Sequence, residues 1–216
     1  MISFLPRDVA RPLRILCLGA HSDDIEIGCG GTVLQLLAAN PDTSVHWAVF
    51  GADGKREDEA RASAARFLDG TQQATVHIES FPNSYYPDHW SDIKRVFENT
   101  LKPFEPDVIF THYRDDRHQD HRVISDLAWN TFRNHMVLEY EIPKYDGDLG
   151  RPNLYVPLSR QTVDDKIKVL VEEFATQCSR HWFGEETFRG MMRLRGVEAA
   201  TAYAEAFHAR KICVDL

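Results

Sequence analysis

The chain has 216 residues, with 33 acidic against 25 basic side chains and a formal net charge of −8. That balance argues against nucleic acid as a general partner, because phosphate binding needs a basic surface. Hydrophobic content of 43% and charged content of 27% are ordinary for a globular protein, and no apolar run approaches the roughly 18 residues of a membrane helix. The four cysteines, Cys17, Cys29, Cys178 and Cys213, form no C-x-x-C pair and no disulfide framework. Residues 1–11 do not read as a secretory signal, and the cysteine usage makes a reducing cytoplasm the expected location. No repeat or linker divides it, and residues 1–216 are expected to form a single domain.

Strand signals fall at 14–19, 45–50, 75–79 and 107–111. Helical patterns lie between and after them, at 31–39, 55–68, 90–101 and 117–132. Strands alternating with helices of this length predict βαβ units and a parallel sheet, hence an α/β fold. The last third is less regular. Strands are expected at 136–142 and 153–156 around a loop at 143–150, helices at 163–176 and 185–207, and an edge strand at 211–214.

Two short segments carry the chemistry. Ala20-His21-Ser22-Asp23-Asp24 follows the first strand, and His118-Gln119-Asp120-His121 follows the fourth. In an open parallel sheet, ligands bind outside the carboxyl ends of the strands. His21 can bind a divalent metal. One of Asp23 and Asp24 can join it while the other reaches a water as general base. On a helix starting near Arg117, His118 and His121 share a face; one can bind the metal and the other can act as electrophile or acid. Asp120 can orient a histidine. Asp115 and Asp116 read as helix caps. Each segment also has a plain reading, as turn caps or solvated histidines, but their complementary ligand types favour one metal site. Gly28, Gly30 and Gly31 read as a tight turn before a helix. They fail the dinucleotide fingerprint, because Val33 holds its last position.

These residues resemble the PIG-L/LmbE superfamily of zinc-dependent N-deacetylases, with its A-H-P-D-D and H-x-x-H motifs. Ser22 stands where the family has proline. Arg56 with Glu59, and Tyr203 to Phe207, are weaker points of likeness. The resemblance implies a Rossmann-like three-layer sandwich with a mostly parallel sheet and no dinucleotide. It implies His21, Asp24 and His121 as ligands of zinc (or of another divalent ion such as iron), Asp23 as general base and His118 as the second catalytic group. The implied reaction removes acetyl from an N-acetylated amino sugar or its conjugate. A tyrosine that some family sites carry two residues before the H-x-x-H motif is Asp116 here.

On the substrate side, Arg56 can bind an anionic group, or pair with Glu59 on the helix surface. Tyr85 and Tyr145 can stack on a sugar ring, or pack in the core. His112, at a strand end, reads as a satisfied structural histidine or a support to the site. Rival functions are hydrolysis of another amide or an ester, and nucleotide binding on a Rossmann-like sheet. Oligomeric state is left open, a homo-oligomer included.

Overall fold

The computed structural model describes residues 12–212. Five strands run parallel: β1 (Arg14–His21), β2 (Ser44–Gly51), β3 (Ala74–Ile78), β4 (Val108–His112) and β5 (Met136–Tyr140). Two more, β6 (Leu154–Leu158) and β7 (Tyr203–Ala209), complete a seven-stranded sheet in the order β3-β2-β1-β4-β5-β7-β6. β7 lies antiparallel to both its neighbours.

Helices cover both faces, which is why β1 and β2 are continuous apolar runs rather than alternating ones. Ile15 and Cys17 of β1 join a core with Val33 and Leu37 of α1 (Asp24–Ala39), Ala64 and Phe67 of α2 (Gly54–Phe67), and Ile167 and Leu170 of α5 (Arg160–Glu173). Leu16 and Leu18 point the other way. They pack with Ile93 of α3 (Trp90–Val96) and with Ile124 and Leu127 of α4 (Gln119–Thr131). The result is the three-layer α/β sandwich. Among the described residues no helix is long and apolar enough to cross a membrane.

The structure departs from expectation at three places. The helix expected at 31–39 begins at Asp24. Gly28, Gly30 and Gly31 therefore lie inside it, not in a turn. A Cβ on Gly28 would stand 2.2 Å from the Tyr140 ring, so glycine there serves close packing of α1 on β5. The helix expected at 185–207 ends at Glu198, as α6 (Glu185–Glu198). Ala200, at φ 57°, turns the chain out of the helix, and the rest becomes β7. The edge strand expected at 211–214 is not formed at Lys211 and Ile212; Cys213 and Val214 lie outside the described residues. The edge is β6 instead.

β1 pairs with β2 on one side and β4 on the other. The chain runs outward from β1 through β2 to β3, then crosses back to β4. The crevice between the ends of β1 and β4 is thus the topological switch point, where this architecture places ligands. Both motif segments leave the sheet there.

Candidate metal centre

His21 is the last residue of β1, and its backbone N–H donates to Asp24 Oδ2 at 2.7 Å. Asp23 holds the N-cap position of α1 with no capping bond from its side chain, and Asp24 is the first helical residue. That start separates the adjacent carboxylates: Asp24 turns back toward His21, and Asp23 turns toward Arg56. Both lie at the positive end of the helix dipole, which favours their charge.

His121 enters from α4. Its Nε2 lies 3.2 Å from His21 Nδ1 and 3.6 Å from Asp24 Oδ2, and His21 Nδ1 lies 3.3 Å from Asp24 Oδ2. A tetrahedral zinc ion bonded at about 2.0–2.1 Å holds its ligand atoms about 3.3 Å apart. The three atoms already have that spacing. Each imidazole is also held from behind by a carboxylate. Asp120 Oδ2 is 3.2 Å from His21 Nε2, and Asp116 Oδ2 is 2.9 Å from His121 Nδ1. Such outer contacts fix the ring orientation and leave the inner nitrogen to a metal.

The electrostatics match. Burial opposes charge on His21, but Asp24 and Asp120 outweigh it and push its pKa up to about 10. Burial, then the nearby His112, pushes His121 down to about 3. Burial would raise Asp24, yet His121, His112 and His21 hold it well below the usual carboxylate range. A proton on His21 Nδ1 thus sits between a carboxylate and a neutral imidazole nitrogen. The trio is built around positive charge, and a divalent cation fits it.

His112 ends β4, fully buried, and stacks on His121 with ring centroids 4.0 Å apart. Its Nε2 is 3.3 Å from Asp24 Oδ2 and accepts the Ala20 N–H at 2.9 Å. Asp24, His112 and His121 are close enough to hold an ion, as are His21, His118 and His121. The lone pair of His112 Nε2 is already engaged by the backbone.

His118 caps α4 and is not inside it. Its Nδ1 accepts the Asp120 N–H at 3.2 Å, which leaves the ring proton on Nε2. The ring stacks on His121 at 4.6 Å. Burial, then the His21 charge, lowers its pKa, so the neutral ring is favoured. Burial, then the Asp24 charge, raises the Asp23 pKa to about 6 against the pull of Arg56. That is close to what a base needs near neutrality.

The surface pair of Arg56 with Glu59 does not form. Arg56 points at Ser22 and Asp23, and Glu59 accepts both the N–H and the hydroxyl of Thr176. Tyr85 and Tyr145 are 59% and 67% exposed, free to meet a ligand. The Tyr145 ring lies 5.2 Å from that of His181. Tyr86, next in sequence, is buried and donates to the Ala20 carbonyl at 2.5 Å.

Sequence reasoning missed two contributors. Asp116, read as a cap, accepts the His118 N–H at 2.7 Å and also holds His121. Lys144 donates to Asp116 at 2.8 Å and pairs with Asp148 at 2.6 Å, strapping the 143–150 loop to the site. The signal for Asp116 was its place five residues before His121; Lys144 left none.

A doubly covered, mostly parallel sheet with a histidine–carboxylate cluster at its switch point places the chain among α/β proteins whose site lies at the strand ends. The chain belongs to the PIG-L family, GlcNAc-PI de-N-acetylase, whose model matches residues 16–132, just over half its length. It is therefore an N-deacetylase by family. It is 32% identical over 143 residues to YaiS, an uncharacterized deacetylase of Escherichia coli K12, covering 60% of this chain and 74% of that one. The fold is similar to N,N'-diacetylchitobiose deacetylase from Pyrococcus horikoshii, with a TM-score of 0.67, 19% identity, and 92% and 84% of the two chains covered. It is also similar to the 4-carboxy-2-hydroxymuconate hydratase GalB from Pseudomonas putida KT2440, with a TM-score of 0.72, 17% identity, and 94% and 98% covered.

Proposed function

We propose that this protein is a zinc-dependent hydrolase that removes the acetyl group from an N-acetylated amino sugar or its conjugate, giving acetate and a free amine. The observation that carries the reading is the trio His21 Nδ1, Asp24 Oδ2 and His121 Nε2, mutually 3.2–3.6 Å apart, with a further carboxylate, Asp23, beside it. His21, Asp24 and His121 would hold the ion, with Asp120 and Asp116 orienting the two rings. When bound, a divalent ion supplies Lewis acidity, polarising the acyl oxygen and making water nucleophilic near neutral pH.

The chain's own residues do the rest. Asp23 takes the proton of the attacking water. His118 donates its Nε2–H to the acyl oxygen as charge builds there, a donor fixed in advance by Asp120 N–H on its far nitrogen. The proton on Asp23 then passes to the departing amine. Tyr85 and Tyr145 offer exposed aromatic faces to the sugar ring.

The same sheet also carries a hydratase, so release of acetate is the discriminating readout. Purified protein should contain one divalent ion per chain and release acetate from N-acetylglucosamine, N,N'-diacetylchitobiose or a related amide. A chelator should stop the reaction and zinc should restore it. Metal-free protein that still releases acetate, or metal-loaded protein inert toward every N-acetyl sugar tried, contradicts the proposal.

A further inference from the structure

Arg56 sits in the first turn of α2, within reach of the site. The sequence offers it either an anion on the substrate or a surface pair with Glu59. Two of its nitrogens are instead turned inward on one atom. Nε and Nη2 donate to Ser22 Oγ at 3.1 and 2.8 Å, and Nη2 also lies 3.4 Å from Asp23 Oδ1. Ser22 is fully buried, and Asp23 is 4% exposed. Ser22 is the residue between the end of β1 and the cap of α1, so its hydroxyl lies on the stretch of backbone that aims Asp23.

We infer that Arg56 is a positioning residue: through Ser22 it fixes the backbone that holds the Asp23 carboxylate, and its fork sets where that carboxylate points. The inference rests on the reading of Asp23 as the base. A rigid planar fork suits this role, and a lysine ammonium on a flexible stem cannot copy it. A buried serine hydroxyl that accepts two guanidinium N–H groups loses both when either side chain is changed. The two residues must therefore act as a unit, and their effects must fail to add.

The test is a double-mutant cycle with Arg56→Lys and Ser22→Ala, read as kcat and KM for acetate release from whichever N-acetyl sugar is turned over. Each single variant should lower kcat about 10-fold, the scale of a lost hydrogen bond to a charged group, and leave KM within about threefold. The double variant should be no worse than either single one. A rise in KM at unchanged kcat for Arg56→Lys, or effects that multiply in the double variant, would overturn the inference and return Arg56 to substrate binding. If Ser22→Ala does not fold, the kcat–KM split of Arg56→Lys decides alone. A crystal structure of Arg56→Lys provides a readout independent of turnover. Asp23 should leave its place while His21, Asp24 and His121 keep theirs. If the wild-type protein releases acetate from no sugar, the deacetylase reading fails and this structure decides; an unmoved Asp23 sinks the inference.

Discussion

Helix α1 serves two buried charged clusters, and they differ in one respect. At its start, His21 Nδ1, Asp24 Oδ2 and His121 Nε2 converge to within 3.2–3.6 Å of one another, around a single proton on His21. Further along, Lys166 and Glu205, 2% and 4% exposed, form an ion pair at 2.6 Å. Every strong group of that pair is satisfied. Lys166 also donates to the Ile27 carbonyl at 2.7 Å, and Glu205 accepts the N–H groups of Gly31 and Thr32 at 2.8 and 2.7 Å. Nearby, Arg195 and Glu141 pair at 2.7 Å, and Glu141 also accepts the Gly150 N–H. Burial of charge alone does not mark a site. The Lys166 cluster pairs positive with negative and closes. The His21 cluster converges three atoms that can each ligate a metal, and only a proton stands where a divalent cation fits.

That contrast can be broken by substitution. The largest effect is expected at the base. Asp23→Ala should lower acetate release about 1,000-fold, within the range for general base catalysis. Metal content, read by elemental analysis, should be unchanged; metal lost together with activity would make Asp23 a ligand. Lys166→Met should act on stability instead. It leaves Glu205 buried without its cation, at a cost of about 3–5 kcal/mol in denaturant unfolding. The kcat of the folded fraction should hold. If stability holds and kcat falls, the two clusters are not distinct in the way described.

Asp116→Asn should weaken metal binding about 10–100-fold, as for other groups that support a ligand from behind. Competition with a chelating dye measures it, and the melting temperature of the metal-free protein should scarcely move. The smallest effect is expected from a buried histidine in neither cluster. Burial, then the charge of His77, pushes His46 from 6.5 down to about 4. The folded state therefore binds its proton later than the unfolded chain does. Stability should be full above pH 6.5, fall as the pH drops toward about 4, and level off below that. After solvent screening the loss should be on the order of 1–2 kcal/mol. His46→Gln should flatten that part of the pH profile; an unchanged slope would assign it to other groups.

The parallel strands and the two motif segments that meet at the switch point were legible because their signals are local. Apolar runs such as Ile15 to Leu18 mark a doubly covered strand, and the motif residues sit directly after such runs. What escaped depends on partners far along the chain. Three glycines near the start of α1 look like a turn until Tyr140, Phe67 and Glu205 are seen packed against Gly28, Gly30 and Gly31 in that order. The segment that becomes β7 carries three alanines and a glutamate in seven residues and looks helical. It is a strand because β5 and β6 flank it, with Leu138 opposite Ala209 and Tyr155 opposite Ala206. The inward turn of Arg56 was hidden for the same reason, since Glu59, its apparent partner, is taken by Thr176.

The most direct test is diffraction at the zinc absorption edge from crystals of the wild-type protein soaked in zinc. The account predicts one anomalous peak, about 2.0–2.1 Å from each of His21 Nδ1, Asp24 Oδ2 and His121 Nε2. No peak there, or a peak bound by Asp24, His112 and His121 with His21 left out, would contradict it.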